Sequence, residues 1–186
     1  MPAKKVISRE RIIEEALKIV RKEGMDGLNM RTLAKACNCS TQPLYLSFSG
    51  AEELKSALNE KIVQTYRDFL ETEVTSGRYP EYKATGMGYI RFAKEESELF
   101  KYLFMRDRRS ENSDEIATDF EHEAARLKNY SICGDTATKI HTHMWVWVHG
   151  IATMYATGYM NWEWEVVSEM LTDAFLGIKA RLTEGV

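Results

Sequence analysis

The period of the apolar residues constrains this chain more than any other feature. Ile12, Ala16, Ile19 and Val20 recur at i, i+4, i+7 and i+8, which lays one apolar stripe along an α-helix. The same spacing returns down the chain, and the period-2 alternation that strands need is nearly missing. The fold class read from this pattern is all-α.

Capping residues divide the pattern into elements. Ser8 reads as the N-cap of a first helix that Gly24 ends. Asn29 can cap a second helix over 30–37, with Met30, Leu33, Ala34 and Cys37 turned inward. Asn38 suits a left-handed turn, Ser40 can cap a third helix over 41–46, and Pro43 falls in that helix's first turn, where it removes no intrahelical bond. A long helix is predicted from Ala51 to about Ser76, with Leu54, Leu58, Ile62, Tyr66, Phe69 and Leu70 on one face and Gly77 to Pro80 as its break. Helices are then predicted over 81–94 and 99–105, a polar loop over 106–114, and helical spacing over 116–129. After a break at 131–135, two long helices over 136–159 and 162–182 close the chain.

Charge divides the chain as well. The 186 residues carry 25 Lys and Arg against 28 Asp and Glu, a net of −3 that argues against a wholly basic nucleic-acid binder. Residues 1–50 hold nine cations against five acids, a net of +4, and residues 51–186 sixteen against twenty-three, a net of −7. Opposite character in two regions implies two tasks. The three cysteines are an odd number in a chain too long to need disulfide staples, and Met1 to Ser8 lacks the apolar run of a signal peptide. Met144 to Met160 has no Asp, Glu, Lys or Arg but is slightly short for a membrane span and fits a buried helix better. The expected setting is the cytoplasm, with no membrane partner.

Two short helices joined by a tight turn, 29–37 and 40–46, form a helix-turn-helix pattern, in which the second helix enters the DNA major groove and the first crosses the backbone. Thr41 and Gln42 stand at the start of that second helix beside Ser40 and Pro43. Glutamine can read adenine N6/N7, and threonine can bond a base edge or touch a thymine methyl. Arg31 and Thr32 are placed for phosphate contacts, and Lys4, Lys5 and Arg9 form a basic arm able to follow the backbone or reach the minor groove.

The run MRTLAKACNCSTQPLYLSFSGAEEL resembles the DNA-binding module of the TetR/AcrR transcriptional regulators. Leu33-Ala34 match the family's Ile-Ala, Ser40 its Ser, Leu44-Tyr45 its Leu-Tyr, Phe48 its Phe, and Glu52 with Leu54 the start of its fourth helix. The resemblance covers about residues 8–58. It implies that Tyr45 packs and also hydrogen-bonds a phosphate; pure core packing fits Tyr45 equally well. Asn38-Cys39 replace Gly-Val, Ser47 replaces the common His, and Gly50-Ala51 replace Ser-Lys. The family's lysine at that last position touches a phosphate, which Ala51 cannot do; Lys55 lies one turn further on. The segment WVWVHGIATMYATG resembles a subset of TetR-like C-terminal domains, which implies a helical domain that binds a small effector and dimerises through its last two helices.

The domain division expected is therefore 1–50 for DNA binding and 51–186 for effector binding and dimerisation. Met144, Trp145, Trp147, Val148, Ile151, Met154 and Tyr155 cover nearly the whole circumference of one helix, and Val166 to Leu182 repeat the excess on the next, as a homodimer seam requires. Phe100, Phe104, Met105, Phe120, Trp147, His149 and Met154 are candidate walls of an effector pocket, although each also fits as plain core. Cys37-x-Cys39 lacks further nearby ligands for zinc, and His141 and His143 would point about 200° apart on a helix, so no metal or other cofactor is assigned. No glycine-rich phosphate loop, H-E-x-x-H motif or catalytic triad pattern supports an enzyme. The function expected is a ligand-responsive DNA-binding regulator, a repressor released from a short palindromic operator by an apolar or aromatic effector. Control by a protein partner, and a ligand carrier or enzyme with an incidental helix-turn-helix, are the alternatives.

Overall fold

The computed structural model describes residues 7–107 and 123–183. Every regular element among the described residues is helical: α1 (Arg9–Glu23), α2 (Met30–Ala36), α3 (Gln42–Ser47), α4 (Ala51–Thr75), α5 (Glu81–Glu95), α6 (Ser97–Phe104), α7 (Gly134–Ala156) and α8 (Trp164–Thr183), with 3-10 turns at Met25–Gly27 and Arg126–Tyr130. The all-α expectation holds. Residues 123–125 are helical as the spacing over 116–129 predicts; residues 108–122, which include the rest of that prediction and most of the polar loop, lie outside the described set.

The described residues up to Arg67, together with Glu96–Met105, form one compact unit. Ser8 caps α1 by accepting the Arg11 N–H at 3.3 Å, and Gly24 ends it at φ +69°. Ile12, Ala16, Leu17 and Val20 form its buried stripe, with Ile19 only half-buried. At α2, Asn29 Oδ1 accepts the Arg31 and Thr32 N–H groups, each at 3.0 Å, and Thr32 Oγ1 accepts the Asn29 N–H at 3.0 Å. This reciprocal box satisfies three donors that would otherwise be left open. Asn38 takes the left-handed turn at φ +53°.

The α3 cap departs from expectation. Thr41, not Ser40, holds the N-cap position, and no side chain caps the helix. Thr41 already has helical angles, φ −71° and ψ −20°, whereas a side-chain cap needs extended backbone. Pro43 has no N–H to satisfy, and the Leu44 N–H reaches Thr41 O at 3.1 Å. Leu44 and Phe48 anchor α3 in the core. Within the same unit α6 packs on α1: Arg21 forks onto Glu96, Nε to Oε2 at 2.9 Å and Nη2 to Oε1 at 2.6 Å.

Asp68–Glu95, Arg106, Asp107 and the described residues after 122 form the second compact unit. Its centre is α5, which buries Tyr82, Ala84, Thr85, Met87, Gly88, Tyr89, Ile90, Phe92 and Ala93. A helix buried on most of its circumference needs cover on several sides; α7 and α8 supply part of it. The end of α4 comes close at Gly88, where a Cβ would stand 3.0 Å from Leu70 Cα and 3.1 Å from the Phe69 carbonyl oxygen. Glu73 and Arg91 pair at 2.5 Å, and the Arg91 guanidinium lies over the Trp164 ring at 5.0 Å. Helix α7 starts two residues before its predicted bound, with Cys133 as N-cap, and α8 starts two residues after its own. The link between them is held where the Tyr155 hydroxyl donates to the Trp162 carbonyl at 2.6 Å.

Candidate nucleic-acid interface and effector region

Burial of Leu44 and Phe48 turns the opposite side of α3 outward. Thr41, Gln42, Tyr45 and Leu46 are all exposed, as is Ser40, while Pro43 is half-buried. Tyr45 is 56% exposed, so packing does not consume its ring. On α2, Arg31 is exposed, whereas the Thr32 hydroxyl is engaged in the cap and donates within reach of Gly27 O at 2.9 Å. Lys35, four residues after Arg31, is a further exposed cation. The spacing of α2 places it beside Arg31, a signal available in the sequence. No acidic residue interrupts the stretch between Asp26 and Glu52, so the helix pair itself contributes no negative charge to its outward side.

Two of the basic candidates have intramolecular roles. Arg9 does not extend as part of a free arm. Its Nη1 donates to the Ser47 carbonyl at 3.0 Å and to Glu53 Oε1 at 2.6 Å, and its guanidinium lies 4.3 Å over the Phe48 ring. The Glu53 carboxylate also accepts the Ser49 N–H at 2.7 Å. That backbone bond, with Arg9, holds its pKa down at about 2. Arg9 thus ties the end of α3 to α1 and α4, a tertiary role that no local spacing reveals. Lys55 pairs with Glu52 at 3.1 Å. Lys4 and Lys5 lie outside the described residues.

The effector candidates divide between the two compact units. Phe100 is buried and Phe104 half-buried on α6, their ring centroids 5.2 Å apart, and Tyr66 meets Phe104 edge-on at 5.1 Å. Met105 is exposed. Trp147, His149 and Met154 belong to the second unit, and Phe120 lies outside the described residues. His149 Nδ1 stands 2.9 Å from the Tyr89 hydroxyl, and its ring stacks on Trp145 at 5.1 Å. Seven residues back on α5, Tyr82 makes the same 2.9 Å contact with His141 Nδ1. Burial lowers the pKa of both histidines, that of His141 to about 4. A cavity of about 230 Å³ lies elsewhere in this unit, between Ala124–Lys128 and the start of α7, and none of the effector candidates lines it. The periodicity gave no sign of it.

The circumference of α7 is not uniformly covered. Met144, Val148, Ile151 and Tyr155 are buried, whereas Trp145, Val146 and Trp147 are 45%, 60% and 48% exposed. Val166 and Leu176 on α8 are also exposed. At Gly150 and Gly177 a Cβ would meet nothing within 4 Å. Among the described residues no group of three or more His, Cys, Asp or Glu side chains is arranged to hold a metal ion. No helix among them is long and apolar enough to cross a membrane.

A family model described as the tetracyclin repressor-like C-terminal domain matches residues 82–175. No curated protein matches the chain. Among solved structures, a TetR-like transcriptional regulator from Rhodococcus sp. RHA1 superposes with a TM-score of 0.67 at 17% identity, covering 90% of this chain and 92% of the other. A TetR-family transcriptional regulator from Haemophilus influenzae RD gives 0.64 at 14% identity, covering 90% and 93%. The multidrug binding protein EbrR, complexed with imidazole, gives 0.58 at 18% identity, covering 89% and 88%. At these identities the superpositions establish a shared fold.

Proposed function

Because the chain belongs to the TetR family of transcriptional regulators, we propose that it is a homodimeric, ligand-responsive repressor of a short palindromic operator, acting in the cytoplasm. The outward side of α3 carries this reading: Thr41, Gln42 and Tyr45 stand exposed together on the second helix of a helix-turn-helix whose cores, Leu33, Leu44 and Phe48, are sealed. Residues 1–50, with Lys55 just beyond them, supply the DNA-binding surface. Gln42 and Thr41 read base edges from the major groove. Tyr45, Ser40, Arg31 and Lys55 meet the sugar-phosphate backbone with Lys4 and Lys5, while Arg9 acts by fixing the end of α3. Thr32 contributes through the α2 cap.

Residues 51–186 supply effector binding and dimerisation. The exposed apolar residues of α7 and α8 form the seam with a second copy, where the open space at Gly150 and Gly177 allows close helix approach. In the DNA-competent dimer the two recognition helices stand about 34 Å apart, one turn of the duplex. A small apolar or aromatic effector bound within residues 51–186 shifts the population toward a state with a different spacing, and it must bind that state more tightly to do so. The Arg21–Glu96 fork gives α6 a direct hold on the DNA-binding unit, so displacement of α6 is felt at α1. The fold shared with a multidrug binding protein supports a small-molecule effector.

The test is direct. Gln42→Ala and Tyr45→Ala should each weaken binding to a selected operator by at least tenfold, with the fold unchanged by circular dichroism. Affinity should also fall steeply with salt through counterion release. Unchanged affinity in both variants would sink the repressor reading.

A further inference from the structure

Leu46 is the most exposed large apolar residue described, at 78%, and it sits on the helix assigned to the major groove. By helical geometry it lies about 40° from Gln42 around α3, on the outward side, while Tyr45 lies about 60° to the other side. Leu44 and Phe48 already anchor the helix, so Leu46 adds nothing to the core. A leucine has no donor or acceptor for a base edge or a phosphate. The apolar group that the major groove offers is the thymine C5 methyl. The surroundings favour DNA as the occupant: Arg31 and Lys35 are exposed on α2, and no acid lies between Asp26 and Glu52.

We infer that Leu46 is a specificity-determining residue that reads a thymine methyl in each operator half-site. This rests on the repressor reading of the same helix. The register follows from geometry. Four residues of α-helix advance about 6 Å, and successive base pairs lie about 3.4 Å apart. The thymine read by Leu46 therefore falls within about two base pairs of the base read by Gln42, with an adenine as the partner suited to that side chain.

Full-length protein, presented with random duplexes, first selects its preferred sequence. Each thymine of the half-site is then replaced in turn by deoxyuridine, which removes only the methyl group. At one position near the Gln42 contact, affinity for the natural chain should fall about fourfold, the worth of one methyl-sized group kept from water. Leu46→Ala should bind the thymine duplex less tightly and lose the discrimination between thymine and uracil. Gln42→Ala should bind weakly but keep that discrimination. At 78% exposure the Leu46→Ala chain should melt at the same temperature as the natural one. Selection of a defined site without methyl dependence, or dependence that survives in Leu46→Ala, overturns the inference and leaves the repressor reading standing. Failure to select any sequence overturns both.

Discussion

His141 offers a stability test whose sign and size follow from its surroundings. The imidazole is half-buried against Tyr82, and burial disfavours its charged form, lowering the pKa from 6.5 to about 4. Between those values the unfolded chain binds a proton that the folded chain refuses. The native state is therefore at full strength above pH 6.5 and weakens as pH falls toward 4. At about 1.4 kcal/mol per pH unit the shift corresponds to about 3 kcal/mol. The side chain keeps partial access to solvent, so screening reduces the expected loss to about 1 to 2 kcal/mol. Urea unfolding at pH 7.5 and pH 4.5 measures this loss, and His141→Gln should remove that share of it. An NMR titration of the His141 ring should show a midpoint well below 6.5. A midpoint at or above 6.5, or an identical pH-dependent loss in natural and variant chains, would refute the argument.

Three further perturbations follow from the packing. Asn29→Ala removes the acceptor for two N–H groups of α2 and should cost about 1 kcal/mol in urea unfolding, with a matching loss of operator affinity. Gly88→Val places side-chain carbon against the Leu70 backbone, and a shift in thermal midpoint equivalent to about 3 kcal/mol is expected. Leu176→Glu places a charge on the exposed apolar side of α8; sedimentation should show monomer at concentrations where the natural chain is a dimer, with helicity unchanged.

Much of the fold was legible because the signals were local. Ser8, Gly24, Asn29 and Asn38 each act within four residues of their own position, and each takes the role its chemistry suggests. The N-cap of α3 is Thr41, one residue beyond Ser40, since backbone angles rather than hydroxyl identity decide which residue can cap, and the two are equal candidates by side chain. The outward side of α3 followed from the positions of Leu44 and Phe48. The engagement of Arg9 with Glu53 and Ser47 did not, because those partners lie 38 or more residues away. Periodicity also does not say what covers an apolar face. Trp145 and Trp147 fall on a helix that is apolar all round, and spacing alone does not tell that about half of each is exposed. Phe100 and Trp147, grouped as walls of one pocket by composition, belong to different compact units.

The central claim is that the outward side of α3 reads DNA in a two-fold symmetric assembly. Selection of bound duplexes from random sequence by the purified full-length chain tests it most directly. An enriched inverted repeat is expected, with half-site centres about one helical turn apart, or a multiple of it. Gln42→Ala should broaden the preference at one position of each half-site. Enrichment of no sequence, or of an asymmetric site indifferent to Gln42, would contradict it.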